Sequence, residues 1–474
     1  MPLIIPSNSI SAGGFAVDNS LRFDSGSSDY LNRTPSSTTN RRTFTISFWI
    51  KTSTFAGTIF STGDYGAGDG YFQVRLLDSG RLALDDFDQS GNSYNVRWVT
   101  PSTTVFRDPS AWYHMVISVD STQATLSDRV NFYLNGENID SLFVDNASGS
   151  PSQNADFHIN YDKVHQIGRD RNNTDYFNGY ISEFVLIDGQ QLDPTSFGEF
   201  DEDSGIWKPI DVSELTFGTN GFYLDFENSG SLGADVSGNG NNFTVNNLTA
   251  IDQTTDTPTN NFATLNGLAI GIDATLSEGN LKMSSGTATS RSGTASSIGF
   301  SQGKWFAEFK SAVSSTNSLI GIAGTTQNRS ATDDDDIGNY PGRTQQGYGY
   351  AGEGNVYHNS LTVSGTFASF TTSDTIGVAV DVDNDLLYFY KNGVIQNSGT
   401  GIDISGITPQ SGNWFFAVGD GSGATAVTID CNFGNPPYTI SSGNTDGNDY
   451  GNFEYAVPSG YLSLCTKNLS EVLG

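Results

Sequence analysis

The chain has 474 residues, of which 36% are hydrophobic and 12% aromatic, and its formal net charge is −30. Its length suits two or three domains rather than one. Its charge argues against nucleic acid and anionic membrane surfaces as partners, because both are bound through clustered lysine and arginine. The 54 glycines and the high aromatic content favour short strands and tight turns over long helices.

Residues 1–19 are predicted to form an irregular arm, because prolines and glycines interrupt any periodicity. A dense series of short strands follows. In the strand 44–51, Phe44, Ile46 and Phe48 fall on the same side, which predicts a buried face. The other predicted strands of this block lie at 20–23, 58–61, 71–76, 113–119 and 130–134.

A second strand-rich block has predicted strands at 304–309, 319–323, 375–381, 386–390 and 414–418. In each block an Asn-Gly pair follows a strand, Asn135–Gly136 in the first and Asn392–Gly393 in the second. Such pairs predict two-residue hairpin turns, since both residues tolerate positive φ. The shared pattern fits either an ancient duplication or two unrelated sandwiches that use the same hairpin.

The pattern predicts an all-β fold of two tandem antiparallel β-sandwiches with extended termini. We expect the first sandwich at 20–205 and the second at 265–438. Residues 206–264, rich in Asn, Gly, Thr and Asp, are predicted to be a linker that is partly strand, and residues 439–474 a C-terminal tail.

Two cysteines, Cys431 and Cys465, exclude a disulfide-stapled scaffold. They permit one bridge, although two buried thiols are the simpler interpretation. No segment has the ~20 apolar residues that span a bilayer. Met1–Pro6 lacks the pattern of a signal peptide. If the protein acts outside a cell, we expect release by lysis.

Four motifs mark successive strands of the first block, and they cover about residues 20–200: Phe44–Ile50 (FTISFWI), Trp112–Val116 (WYHMV), Val130–Gly136 (VNFYLNG) and Phe177–Phe184 (FNGYISEF). In this order and spacing they resemble the concanavalin A-like and laminin-G-like lectin superfamily. The resemblance implies a jelly-roll sandwich.

Four further motifs cover about residues 280–435 of the second block: Gly303–Phe309 (GKWFAEF), Gly347–Tyr350 (GYGY), Asp374–Asp383 (DTIGVAVDVD) and Leu387–Gly393 (LYFYKNG). They resemble a SPRY domain, which implies another concanavalin A-like sandwich.

The ends of the chain carry a third resemblance, through Ser11–Phe23 (SAGGFAVDNSLRF), Tyr30–Pro35 (YLNRTP) and Phe453–Leu469 (FEYAVPSGYLSLCTKNL). These segments are similar to structural proteins of marine bacteriophages. The resemblance implies a location on the virion surface.

Catalytic chemistry finds little support in the sequence. Glycosidases use two carboxylates about 5–9.5 Å apart, and those on this fold usually carry them in one short run, which is missing here. Glu183 and Glu308 are isolated strand carboxylates, expected to face solvent or cap a turn. His114 lies in a strand and is expected to be structural, and no Gly-x-Ser-x-Gly motif accompanies any histidine. We therefore predict no catalytic residues and no enzyme.

Calcium binding has more support in the sequence than catalysis. Laminin-G-like domains often hold Ca²⁺ at a sheet edge, and Ca²⁺ takes six to eight oxygens from loops. The candidate ligands are Asp64, Asp69, Asp170 and Asp175, and the run 333–336 is a further candidate. Solvated acidic turns are the simpler interpretation of each. We expect no other cofactor.

Sugar binding on a lectin sandwich usually needs an exposed aromatic ring beside amide and carboxylate groups. Six residues are candidates, and core or interface packing is the simpler interpretation of each. They are Tyr94 and Trp98 in the first block and, in the loops that a SPRY resemblance implicates, Tyr340, Tyr348, Tyr350 and Tyr357.

Together these patterns predict a non-enzymatic phage surface protein, either a tail fibre or a tail-associated adhesin, that binds a host-surface glycan or protein. Other virion proteins and further copies of the chain are the expected partners, without nucleic acid or membrane insertion. A capsid decoration or head-fibre protein is a close alternative, because no coiled-coil heptads indicate a fibre shaft. A polysaccharide depolymerase on the same fold is the remaining alternative.

Overall fold

A computed structural model describes residues 14–77, 80–101, 106–145, 150–287, 292–313, 316–324, 340–422 and 425–473. Nearly all regular structure is strand, so the predicted all-β fold class is confirmed. The chain divides into two compact units, with the boundary between Thr259 and Asn260.

The first unit contains two large antiparallel sheets and one small ribbon. Its strands are β1 (Ser20–Phe23), β2 (Tyr30–Arg33), β3 (Thr43–Thr52), β4 (Gly57–Thr62), β5 (Tyr71–Leu77), β6 (Arg81–Asp88), β7 (Ser93–Val99), β8 (Tyr113–Asp120), β9 (Val130–Leu134), β10 (Glu137–Asn138), β11 (Val144–Asp145), β12 (His165–Ile167), β13 (Gly179–Asp188), β14 (Gly198–Phe200), β15 (Trp207–Pro209), β16 (Phe222–Leu224), β17 (Thr244–Asn246) and β18 (Gln253–Thr254). Short 3-10 helices lie at Tyr65–Ala67, Leu126–Asp128, Asp140–Leu142 and Pro194–Ser196.

Sheet A has the order β10-β9-β8-β3-β13-β1-β18, with β16 also paired to β13, and sheet B has the order β11-β7-β6-β5-β4-β12-β2-β17. The alternation predicted for 44–51 is confirmed, since Phe44, Ile46 and Phe48 of β3 lie in the core between the sheets. Strands β5 and β6 contribute Phe72 and Leu84 to the same core from sheet B. The inward-facing side chains of every long strand are buried in this core.

The outer face of sheet A is also buried. The segment that buries it is the one expected to be part of a linker at 206–264. The chain after β13 returns across this face, and Phe217 and Tyr223 pack there against Val116 and Val185. Further along, Asp256 forms an ion pair with Lys51 of β3 at 2.7 Å, and both side chains are almost fully buried. Residues 206–259 are therefore an integral layer of the first unit.

The second unit contains two further sheets. Its elements are β19 (Ala274–Ser277), β20 (Lys282–Ser285), β21 (Ser292–Ala295), β22 (Lys304–Ser311), β23 (Ser318–Ala323), β24 (Gly347–Ala351), β25 (Val356–His358), β26 (Leu361–Thr362), β27 (Thr375–Asp381), β28 (Leu386–Lys391), β29 (Val394–Ile395), β30 (Ile402–Asp403), β31 (Phe415–Asp420), β32 (Thr428–Asn432), β33 (Leu462–Ser463), a 3-10 turn at Asn397–Gly399 and the helix α1 (Thr466–Leu473).

Sheet C has the order β19-β20-β32-β22-β27-β28-β29, with β30 paired to β28 and β33 paired in parallel to β22. Sheet D has the order β21-β31-β23-β24-β25-β26. The tail packs on the outer face of sheet C, where Phe453 and Tyr461 bury Phe306 and Ala379. Cys431 and Cys465 are both buried free thiols, which confirms the simpler interpretation of the pair.

The two Asn-Gly hairpins have the same detailed construction. Asn135 and Gly136 have φ of 48° and 83°, and Asn392 and Gly393 have φ of 51° and 75°, as the type I′ turn requires. In each hairpin the asparagine side chain accepts a hydrogen bond from the backbone N–H of the preceding strand, at 2.8 Å and 2.9 Å. A later segment then covers each glycine with an aromatic ring, Trp207 or Tyr455.

This cover makes Gly136 less replaceable than an ordinary turn glycine. A Cβ atom at Gly136 would lie 2.5 Å from the ring of Trp207. That ring is fixed, because its Nε1–H donates to His114 Nδ1 at 2.9 Å.

Within the described part of the chain, no helix is long and apolar enough to cross a bilayer.

We expect Gly136→Ala to lower the free energy of unfolding of the first unit by about 2–5 kcal/mol, from left-handed strain and overpacking together. Gly238→Ala is the matched control, since Gly238 has φ of 87° with open space around its Cα. The control should lose only about 1–2 kcal/mol. Urea denaturation followed by tryptophan fluorescence measures both, and equal losses would contradict the role of the Trp207 cover.

Candidate functional site

The outer face of sheet B presents polar and aromatic side chains. Along β5 the side chains alternate, so Phe72 and Val74 enter the core while Tyr71, Gln73 and Arg75 point outward. This face therefore offers groups for contact with a ligand.

Three aromatic rings form a cluster at one end of this face. Phe87 lies between Tyr71 and Tyr94, with ring centroids 5.6 Å and 4.8 Å away. The two tyrosine hydroxyls are 3.5 Å apart. Such contacts hold the rings in fixed orientations.

Arginine side chains stack on three tyrosines of the same sheet. The guanidinium carbon of Arg169 lies 3.4 Å from the ring centroid of Tyr30, and that of Arg171 lies 4.0 Å from Tyr71. The third pair, Arg97 on Tyr94, is separated by 4.8 Å. We call this set the arginine–tyrosine face: Tyr30, Tyr71, Tyr94, Arg97, Arg169 and Arg171.

A pocket of about 510 Å³ opens beside this face, between β5 and the loop 170–175. A chain of hydrogen bonds forms one wall, in which Gln73 Nε2 donates to Thr58 Oγ1 and Thr58 Oγ1 donates to Asp175 Oδ2. Arg75 and Arg81 line the same pocket. Planar rings, guanidinium groups and amide groups at one concave site suit a hydroxylated ligand.

The four candidate calcium ligands lie in two neighbouring loops at this edge. Asp170 Oδ1 accepts the backbone N–H groups of Thr174 and Asp175, so it holds its own turn. Asp64 Oδ1 accepts the N–H of Gly66, and Asp69 pairs with Lys163 at 3.2 Å. Among the described residues, no three acidic, histidine or cysteine side chains are grouped to hold a metal ion. The run 333–336 lies outside the described residues.

The six predicted sugar-binding aromatics are dispersed. Tyr94 belongs to the arginine–tyrosine face, whereas Trp98 packs on the core with its ring 5.5 Å from Phe143. In the second unit Tyr350 and Tyr348 belong to the core, which agrees with core packing as the simpler interpretation of these two candidates.

The remaining aromatic candidates lie nearer the surface of the second unit. Tyr340 and Tyr357 are partly exposed. The Tyr357 hydroxyl donates to Glu353 Oε1.

Sequence reasoning missed Tyr71 and the stacked arginines of the first unit, although the alternation of Tyr71, Gln73 and Arg75 marks an outward face.

His114 is built so that it cannot activate its neighbour Ser47. Trp207 Nε1–H is only a donor, so His114 Nδ1 must accept, and the ring proton of neutral His114 sits on Nε2. Nε2 therefore donates to Ser47 Oγ, 2.8 Å away, instead of taking its proton. Burial lowers the pKa of His114 to about 3. The structural role predicted for His114 agrees with this geometry.

Both isolated strand glutamates are buried, so the prediction that they face solvent or cap a turn is wrong. A β-bulge between Ser182 and Val185 gives Glu183 a φ of 51° and turns its side chain beneath Tyr223, whose hydroxyl donates to it at 2.5 Å. Burial raises the pKa of Glu183 to about 8.

Glu308 is 1% exposed and joins sheet C to the tail. Its two carboxylate oxygens accept the N–H groups of Glu454 and Tyr455 at 2.8 Å and 2.9 Å. Burial raises the pKa of Glu308 to about 7. Its carboxylate is thus engaged in a structural contact.

Comparison with known families identifies both units. A family model described as the concanavalin A-like lectin/glucanases superfamily matches residues 25–192, and a SPRY domain model matches residues 304–417. The chain contains a concanavalin A-like domain followed by a SPRY domain. Both domain resemblances found in the sequence are confirmed at this level.

Individual relatives match short parts of the chain. A 63-residue stretch is 40% identical to the dual specificity protein kinase splA of Dictyostelium discoideum, and it spans 13% of this chain and 3% of that kinase. The crystal structure of the SPRY domain of human HERC1 is similar at 17% identity and a TM-score of 0.29, over 35% of this chain and 96% of that one. The TRIM65 PSpry domain is similar at 15% identity and a TM-score of 0.26, over 36% and 91%.

The buried Glu183 makes the stability of the concanavalin A-like domain depend on pH. The folded domain keeps this proton up to about pH 8, whereas an unfolded glutamate loses it near pH 4.3. The contribution of Glu183 to stability is therefore full below about pH 4.3 and is lost as the pH rises to about 8. We expect Glu183→Gln to remove this part of the slope, measured as urea midpoints from pH 5 to pH 8. Glu137→Gln, at an exposed strand position, is the control, and parallel wild-type and E183Q curves would contradict the assignment.

Proposed function

We propose that this chain is a non-enzymatic surface protein of a bacteriophage particle and that its concanavalin A-like domain attaches to a host-surface glycan. The observation that carries the proposal is the arginine–tyrosine face beside an open polar pocket. Lectin sites combine a fixed aromatic face with a few convergent polar groups, and this site has both.

The placement on a virion is supported by the similarity of the two ends of the chain to phage structural proteins. The tail that carries part of this similarity packs on the SPRY domain through Phe453 and Tyr461. In this proposal the SPRY domain contacts other virion proteins or further copies of the chain. A tail fibre or tail-associated adhesin is the placement we propose first.

Glycan attachment predicts a specific loss on removing the aromatic rings. We expect the double variant Tyr71→Ala, Tyr94→Ala to weaken glycan binding about tenfold or more, because each stacked ring is worth about 0.5–1.5 kcal/mol. Binding of the full chain to a glycan microarray, with hits measured again by biolayer interferometry, tests this. Tyr357→Ala, in the SPRY domain, is the control.

Each outcome of that experiment bears on the proposal. A loss confined to Tyr357→Ala would move the site to the SPRY domain. An array on which no glycan binds would contradict glycan attachment. Sustained release of reducing ends from a bound polysaccharide would show a depolymerase instead of an adhesin.

Antibody labelling of purified particles tests the placement. Gold label on the tail is the expected result. Label on the shell would favour the capsid decoration alternative, and particles without label would contradict a virion protein.

A further inference from the structure

Three arginines line the pocket beside the arginine–tyrosine face, in a chain that has 22 lysine and arginine residues against 52 aspartate and glutamate residues. They are Arg75, Arg81 and Arg171, and the aspartates Asp170 and Asp175 line the same pocket. Whether an anion can bind there depends on which of these charges the protein already pairs.

Arg81 is the group in this pocket whose charge is available to a ligand. It lines the pocket from the start of β6 and is partly exposed. Within the described residues its guanidinium makes no hydrogen bond or ion pair. An arginine at a concave site without a protein partner suits an oxyanion, because its fork of N–H donors can reach two oxygens of a carboxylate or a sulfate.

Arg75 lies next to Arg81 in a fixed position. Its Nε and Nη2 atoms both donate to Asp85 Oδ2, at 3.2 Å and 2.9 Å. Asp85 is buried, and its Oδ1 atom has no hydrogen-bond partner among the described residues. The pair therefore orients the guanidinium of Arg75 while part of this group still faces the pocket.

The two acidic residues that line the pocket are hydrogen-bonded within the protein. Asp170 uses both carboxylate oxygens to hold Thr174 and the turn, and Asp175 accepts from Thr58. Gln73 has its Nε2 committed to Thr58, so its Oε1 oxygen is the acceptor for a ligand hydroxyl. The stacked pair Arg171–Tyr71 supplies a planar wall.

The geometry points to an acidic polysaccharide as the ligand, with a carboxylate or sulfate bound by Arg81 and Arg75, a hydroxyl bound by Gln73 and a ring packed against the wall formed by Arg171 and Tyr71. This inference rests on the proposed glycan attachment and names its ligand class. Uronate carboxylate and sulfate ester share the required chemistry, so the two sources are separated by experiment.

The test measures binding of the full chain to three immobilised polymers: polygalacturonate, dextran sulfate and neutral dextran. We expect at least one acidic polymer to bind about tenfold more tightly than neutral dextran. Arg81→Gln should weaken that binding about tenfold, the usual effect of one charge-assisted hydrogen bond. Because Arg81 has no protein partner among the described residues, this variant should retain its fold.

Arg42→Gln is the matched control, since Arg42 forms an exposed ion pair with Asp156 elsewhere in the same domain. Equal loss in both variants would indicate unspecific charge attraction and overturn the inference. Preference for neutral glycans, lost with Tyr71→Ala and Tyr94→Ala, would overturn the acidic ligand but keep glycan attachment. Preference between polygalacturonate and dextran sulfate identifies carboxylate or sulfate as the bound group.

Discussion

The first domain depends on the burial of both faces of its central strands. Every residue of β13 and all but the first of β3 are buried, because one face meets the core and the other meets the returning chain. Central strands that are buried on both sides leave no surface for a ligand. The outer face of sheet B presents Tyr71, Gln73 and Arg75, and it is the face on which we propose recognition.

Sheet A contains buried polar side chains, and each of those described below is paired with a partner that compensates for its burial. Lys51 is paired with Asp256, which also accepts the indole N–H of Trp112 at 3.1 Å. Glu183 is held by Tyr223, and His114 by Trp207. Breaking such a pair leaves one buried polar group without compensation, which is costlier than never burying the pair. These contacts fix the path of the returning chain.

The strands and hairpins could be predicted from sequence because their signals are local. Alternation around Phe44 and the Asn135–Gly136 turn depends on neighbouring residues alone. The layer at 206–259 could not be predicted, since single apolar residues such as Phe217 among Asn and Gly have no period. Aromatic content likewise could not separate Tyr94 on the surface from Tyr350 in the core, because that distinction is set by long-range packing.

The aromatic covers over Gly136 and Gly393 have a consequence for the order in which the protein is completed during synthesis. Trp207 is made about seventy residues after the turn that it covers, and Tyr455 about sixty after its own. Because domains fold as the chain emerges from the ribosome, each hairpin must wait uncovered until its late segment appears. In both halves of the chain, the hairpin is therefore synthesised before the segment that covers its glycine.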